Sequence, residues 1–262
     1  MILELLEYLT TDCPADARRL GYLREAIAIK ARHRRHCEAW GPHLARSRAV
    51  VGAAAERCPQ HRTALVLGSG QLLDIPLGAL SAAFERVLLA DMVHLRQARR
   101  VAARYANVAL VTADLTGLAA AFPGGIEAPA APSLFRDDDT VDLVVSANLL
   151  AQLAVPFAAR MRRDGAGENA VRGFCRSVVE AHLAYLAAFE ARVCLITEVS
   201  REAVGCDGGV RRIEDALFGV TLPLEDAAWS WDMAPPGEVS RTYGTRNRVV
   251  GFADFGKAAT AV

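Results

Sequence analysis

The sequence predicts an α/β fold. It is a three-layer sandwich whose mostly parallel, twisted sheet is closed by a C-terminal antiparallel strand pair and preceded by an N-terminal helical extension. Three observations predict it. From residue 63 short β-rich runs alternate with helical segments, as in a parallel sheet covered on both faces. Near the end two strand-like runs, Ala227–Met233 and Arg248–Phe255, follow one another with turn residues rather than a helix between them. Residues 1–60 carry helical periodicity and no strand-like run.

In the first section Asp12 and Pro14 offer a helix start, and Leu20, Leu23 and Ile27 repeat at helical spacing. A second stripe, Cys37, Trp40, Leu44 and Val51, follows, with Gly41-Pro42 expected to bend or break the helix and Pro59 to end it. The parallel strands are expected at Thr63–Leu67, Arg86–Ala90, Val108–Thr112, Val141–Ser146 and Val193–Thr197, with helices at Leu77–Phe84 and Leu95–Tyr105. Pro235-Pro236-Gly237 and Tyr243-Gly244 supply turn chemistry between the last two strands. Two stretches read as long loops: the proline-rich, acidic Pro123–Asp139, and the charged Arg160–Gly173 with an amphipathic helix after it to about Ala191. The expected division is a helical cap over 1–60 and a cofactor domain over 61–262.

Bulk properties narrow the function. The 262 residues are 52% apolar, enough for one large core. Lys+Arg and Asp+Glu balance at 30 each, so no global field attracts nucleic acid or anionic lipid. The six cysteines show no CxxC spacing and follow no secretory leader, which points to reduced thiols in a cytoplasmic protein. The strongest apolar runs reach only about half of a membrane span.

The most informative segment is Ala64-Leu-Val-Leu-Gly68-Ser69-Gly70-Gln71, an apolar strand running into a Gly-x-Gly turn. Such a turn permits tight backbone geometry and close approach of a ligand, although the same pattern also serves ordinary strand-to-helix turns. Two spacings sharpen it. Asp91 closes the second strand 21 residues after Gly70, where a carboxylate accepts hydrogen bonds from a ribose diol. Asp114 follows the third strand, where it can accept a hydrogen bond from an adenine amino group. Each acid alone reads as an N-cap or loop residue; together they indicate an adenosyl ligand. A dinucleotide fingerprint needs a third glycine where Leu73 stands, and a pyrophosphate needs a free helix N-terminus, which Leu72, Leu73, Ile75, Pro76 and Leu77 crowd.

On these residues, with Val141-Asp-Leu-Val-Val-Ser146-Ala-Asn148 as the fourth strand and the closing antiparallel pair, residues 61–255 resemble the class I S-adenosylmethionine (SAM) dependent methyltransferases. The resemblance implies SAM as cofactor. Gly68, Ser69 and Gly70 would then flank its methionine part and Asp91 the ribose. Asp114 would hold the adenine, with Met92 and Leu115 on its faces and Ser146 nearby. The Asn/Asp-Pro-Pro-Tyr sequence and the Pro-Cys nucleophile of particular subtypes do not occur, so the acceptor atom stays open.

Methyl transfer from a sulfonium is an in-line displacement, aided by alignment and by a base where the acceptor must lose a proton. Candidates at the carboxyl edge of the sheet are Asn148 and Gln152 after the fourth strand, Glu198 after the fifth, and His94 near Asp91. Asn148 and Glu198 are the expected orienting group and base, and His94 lines the cofactor end; the plainer roles are helix cap, surface carboxylate and packing histidine. Within the run Lys30-Ala-Arg32-His33-Arg34-Arg35-His36, Lys30 and Arg34 fall near the Ile27 stripe and are candidates to enter the cleft with Gln152 as acceptor-binding residues. The alternative is a solvated basic face. His33 and Cys37 share a face, but no second cluster completes a ligand set, and no metal is expected. Trp229 and Trp231 share one strand face as core packing.

The resulting expectation is a SAM-dependent methyltransferase of a small-molecule acceptor, capped by the N-terminal helices and the 160–173 loop. The alternatives are a catalytically inactive SAM-binding or partner-docking protein of the same fold, and an NAD(P)-dependent oxidoreductase. No membrane or nucleic-acid partner is expected, and a homodimer is retained as a candidate assembly.

Overall fold

The computed structural model describes residues 2–119 and 132–256. Three helices come first: α1 (Ile2–Thr10), α2 (Ala15–Leu20) and α3 (Tyr22–Glu56). The strands and helices that follow are β1 (Thr63–Leu67), α4 (Leu77–Ala83), β2 (Arg86–Asp91), α5 (Arg96–Ala102), β3 (Val108–Thr112) and β4 (Val141–Ala147). Then come α6 (Val155–Arg163), α7 (Glu168–Ala187), β5 (Arg192–Gly205), β6 (Val210–Asp215), β7 (Ala227–Ala234) and β8 (Tyr243–Phe252). The sheet order is β3-β2-β1-β4-β5-β8-β7, with β6 hanging off β5. Strands β1 to β5 run parallel, whereas β8 pairs antiparallel with both β5 and β7.

Alternation along the strands builds two apolar layers. In β1, Leu65 and Leu67 face α6 and α7, and Ala64 and Val66 face α4 and α5. Helix α3 serves both layers. Leu23 and Ile27 in its first half join the α6–α7 side, and Trp40, Leu44 and Val51 in its second half join the α4–α5 side. The crossover from one layer to the other coincides with a break in the helical backbone at His36 (φ −128°, ψ 29°). The bend expected at Gly41-Pro42 is therefore displaced six residues upstream of the proline. Burial of Trp40, His43 and Leu44 on both sides of Gly41-Pro42 holds the helix through the missing N–H.

Three other expectations are corrected. Arg160–Gly173 is helical except around residues 164–167: Phe157, Met161, Val171 and Phe174 are buried, while Arg160–Asp164 and Arg162–Glu168 ion pairs, each 2.7 Å, occupy the solvent side. Tyr243-Gly244 starts β8 rather than a turn. Strand β5 continues well past Thr197 and forms a hairpin with β6, every residue of which is exposed. Such a hairpin leaves no apolar alternation to read. Of the Pro123–Asp139 stretch, residues 123–131 lie outside the described residues. No helix among those described is long and apolar enough to cross a membrane.

Candidate functional site

Strand β1 pairs with β2 on one side and β4 on the other, which creates a crevice at the carboxyl ends of the parallel strands. A cavity of about 550 Å³ opens there. Gly68, Ser69 and Gly70 after β1, Asp91 and Met92 after β2, Asp114 and Leu115 after β3, and Asn148 after β4 line it. Tyr22, Ala26, Ile29 and Arg32 of α3 form one wall, spaced by three or four residues so that they share a helix face. Trp231 of β7 and Asn247 of β8 lie at the far end of the sheet order from β2 and β3.

The glycine turn is built around two constraints. Gly68 adopts φ +67°, and a Cβ placed on it would lie 2.8 Å from Leu149 Cδ1. Gly70 adopts φ +51°, but a Cβ there would meet nothing closer than 3.8 Å. Gly68→Ala should therefore cost the roughly 1–2 kcal/mol of a left-handed backbone plus displacement of Leu149, and Gly70→Ala the backbone term alone. Thermal melts of the two variants check this; a Gly70→Ala loss equal to that of Gly68→Ala would refute the packing argument.

Asp91 Oδ2 accepts the Gly70 N–H at 2.7 Å and Oδ1 the Val93 N–H at 3.2 Å, so one carboxylate ties the ends of β1 and β2 together. Asp91 is half-buried at the cavity wall, and desolvation there raises its pKa against the stabilising amides. Asp114 caps its own loop, with Oδ1 accepting from Thr116 N–H and Oγ–H and Oδ2 from Ala119 N–H. The Tyr22 phenol is pushed far up by burial and by the Asp114 and Asp91 charges, so it stays a neutral donor beside them.

Between these acids and β7 lies a polar cluster. Asn148 occupies a left-handed backbone position (φ 53°), and its Nδ2 lies 2.6 Å from Asp74 Oδ2 and 3.3 Å from His43 Nε2. The Trp229 indole N–H donates to His43 Nδ1 at 3.1 Å. A neutral His43 must then carry its proton on Nε2, aimed at the Asn148 amide. That amide has two settings: its NH2 serves an ionised Asp74, or its carbonyl accepts from His43 Nε2–H and a protonated Asp74. Burial favours the neutral form of both neighbours, raising Asp74 and lowering His43 to about 4.

Several sequence candidates take other places. His94 is buried outside the cavity lining, with Nε2 3.1 Å from the Val111 carbonyl. Ser146 is fully buried against His182, its Oγ 3.0 Å from Nε2. Lys30 donates to Glu7 at 2.7 Å and Arg34 lies 3.9 Å from Glu4, both on α1, because the two cations share a helix face turned from the cavity. Arg35 and His36 bind Glu238, holding its carboxyl down at about 2. Arg32, two residues from Lys30, reaches the cavity instead. Glu198 and Gln152 line the cavity, but both Glu198 oxygens are taken, Oε1 by Arg201 and Oε2 by the Asn247 amide at 2.8 Å. A carboxylate so engaged orients its neighbours rather than abstracting a proton.

Sequence reasoning missed Tyr22, His43, Asp74, Arg201 and Asn247 as cavity residues. Only Tyr22 had a legible signal, the spacing Tyr22, Ala26, Ile29 on one helix face. Among the described residues no group of three or more His, Cys, Asp or Glu is arranged to hold a metal ion.

The fold and crevice define an open Rossmann-like sheet closed by an antiparallel pair, the architecture seen in class I methyltransferases. No protein-family model and no curated protein matches the chain. Among solved structures it is similar to the Burkholderia thailandensis 1,6-didemethyltoxoflavin-N1-methyltransferase with bound 1,6-didemethyltoxoflavin and S-adenosylhomocysteine (SAH), at 12% identity and TM-score 0.41 over 93% of each chain. It is also similar to the N-methyltransferase NodS from Bradyrhizobium japonicum in complex with SAH, at 10% identity and TM-score 0.38 over 79% of this chain and 84% of that one. A third is the glycopeptide N-methyltransferase MtfA complexed with SAM, at 16% identity and TM-score 0.34 over 78% and 76%. At these scores nothing about activity passes from those proteins to this chain.

Proposed function

We propose that the protein is a SAM-dependent methyltransferase acting on a small molecule. The observation that carries this reading is that one cavity holds both ends of the reaction. It joins a glycine turn and two acids, suited to an adenosyl group, to a polar aromatic end suited to a second reactant.

The cofactor end favours SAM over a dinucleotide. Helix α4 begins only at Leu77, is seven residues long and follows Pro76, so no helix N-terminus waits beside the turn for a pyrophosphate. Asp91 is placed to accept from a ribose diol. Met92 and Leu115 offer apolar faces to an adenine, the Tyr22 phenol lines the cavity near enough to feel both acids, and buried Ser69 Oγ has no protein partner. When bound, SAM would supply an electrophilic methyl group. In this reading residues 1–60 are the cap and 61–262 the cofactor domain. Asn148 orients the acceptor, and Asp74, half-buried beside it in the same cavity, takes the released proton.

The test is thermal unfolding of the purified protein alone and with SAM, SAH, NAD and NADP. A ligand at 100 times its dissociation constant adds about 2.7 kcal/mol, a midpoint rise of roughly 5–10 °C for a chain of this size. SAM and SAH are expected to raise it and the dinucleotides not. A rise with NAD or NADP alone would make the protein an oxidoreductase, and no rise with SAM or SAH would remove the methyltransferase reading.

A further inference from the structure

The basic run from Lys30 to His36 spends most of its charge inside the protein. Lys30 and Arg34 meet α1, and Arg35 and His36 meet Glu238. Arg32 is the member of the run that lines the cavity, and its own partners are poor. Nη1 donates to the Met233 thioether at 3.5 Å, and sulfur is a weak acceptor. Nε lies 3.7 Å from Glu238 Oε1, beyond hydrogen-bond reach. Both Glu238 oxygens are already held by the Arg35 fork, and His36 adds a contact at 3.1 Å. Nη2 makes no hydrogen bond to a described residue, and it is not sealed from solvent as Nε is.

Two guanidinium groups thus share one carboxylate, and one positive charge is left unmatched. The other arginines of the cavity wall are matched, Arg201 by Glu198 and Arg212 by Glu214 at 3.0 Å. Among the described residues no carboxylate except Glu238 forms an ion pair with Arg32. The Arg32 side chain is 23% exposed, and Ile29, Trp40, Trp231 and Met233 line the cavity with it. A charge among such neighbours is screened less than one in bulk water. Its place along the cavity follows from the helix. Helix α3 is regular from Tyr22 to Arg32, since its backbone breaks at His36. Ten residues at the helical rise separate the two by about 15 Å. Tyr22 feels the charges of Asp91 and Asp114, so Arg32 stands at the other end of the same wall, beside β7.

We infer that Arg32 anchors the anionic group of the cavity's second ligand, and that this ligand is a monocarboxylate with an apolar body. A carboxylate oxygen would accept from Arg32 Nη2–H, and its single charge would balance the one left over. A phosphate dianion would overbalance it, and an amide or an amine would leave it unmatched. Calling this ligand the methyl acceptor rests on the function proposed above, but its binding does not.

The experiment titrates the full chain, with and without saturating SAH, with benzoate, 3-phenylpropanoate and 2-naphthoate, each beside its primary amide. Calorimetry or ligand-detected NMR reads the binding. The amide keeps the shape of the acid and removes its charge. At least one acid is expected to bind about tenfold or more tightly than its amide, the gain of a charge-assisted hydrogen bond. Arg32→Gln should cut that preference to about threefold or less and leave SAH affinity unchanged. Arg32→Lys, which keeps the charge but not the fork, should fall between. Glu238 keeps Arg35 and His36 in both variants, so the unliganded melting temperature should stay near that of the wild type. No acid preferred over its amide, or a preference that survives Arg32→Gln, would overturn the inference. So would tighter binding of phenyl phosphate than of benzoate, or a fall in SAH affinity in Arg32→Gln, which would give Arg32 to the cofactor's own carboxylate. The wild-type comparison of acids with amides decides the matter even if a variant does not fold. SAH binding without the acid preference defeats this inference alone; an Arg32-dependent acid preference without SAH binding defeats the methyltransferase reading and leaves this site standing.

Discussion

Asp91→Ala is expected to lower SAH affinity by at least about a hundredfold. Hydrogen bonds to a charged acceptor are worth roughly 1.5–3 kcal/mol each, and a ribose diol can offer two. Their joint loss reaches two decades or more in the dissociation constant. The structure adds a second cost. The same carboxylate accepts from Gly70 and Val93, so its removal also loosens the turn and orphans two amides. Calorimetric titration with SAH, read beside the melting temperature of the unliganded variant, separates the two effects. Asp91→Asn keeps one acceptor oxygen and should fall between wild type and alanine. Wild-type affinity in the alanine variant would remove the ribose assignment. A loss of affinity no larger than the loss of unliganded stability would reassign Asp91 to holding the turn.

The second large effect is an acid weakness built into two histidines. His43 and His182 are 2% and 1% exposed, and burial lowers each to about 4. An unfolded histidine titrates near 6.5. Between these values the unfolded chain binds more protons than the folded one, so stability rises with pH across that window. The contribution is complete above about pH 6.5 and is lost progressively as pH falls toward 4. By pH 5 each histidine costs about 2 kcal/mol by linkage. Asp74 and Asp91, whose pKa values burial raises, work in the opposite sense and offset part of the loss as they protonate. The midpoint of thermal unfolding should fall by roughly 10 °C between pH 7.5 and pH 5. His182→Gln, which can keep the hydrogen bond to Ser146, should show about half that fall. A variant whose pH profile follows the wild type would mean that His182 is not a source of the acid sensitivity.

How much was legible in the sequence follows from where each signal lives. Strands β1 to β4 were readable to within a residue because continuous apolar runs between turns have few other solutions. The continuation of β5 and the whole of β6 were not. Ser200-Arg201-Glu202 is polar and half-buried, Val210–Asp215 is exposed, and only backbone pairing makes them strands. Arg160–Gly173 failed for a related reason: its charges form ion pairs along helix surfaces whose other sides are buried.

For the site, chain spacing alone brought Gly68, Gly70, Asp91, Asp114 and Asn148 to one sheet edge, because successive strands of a parallel sheet must end on the same side. It did not choose between roles that depend on neighbours far along the chain. Glu198 and Asn247 are 49 residues apart, and His43 and Trp229 are 186 apart. The ladder that pairs β5 with β8, and the passage of α3 from one layer to the other, decide which of these groups is already spoken for. The sequence by itself determined the order of strands and turns, since that order is written in local periodicity. Only the tertiary structure decided which polar atoms keep an unmet hydrogen bond, because a group is satisfied or stranded by what packs against it rather than by what precedes it.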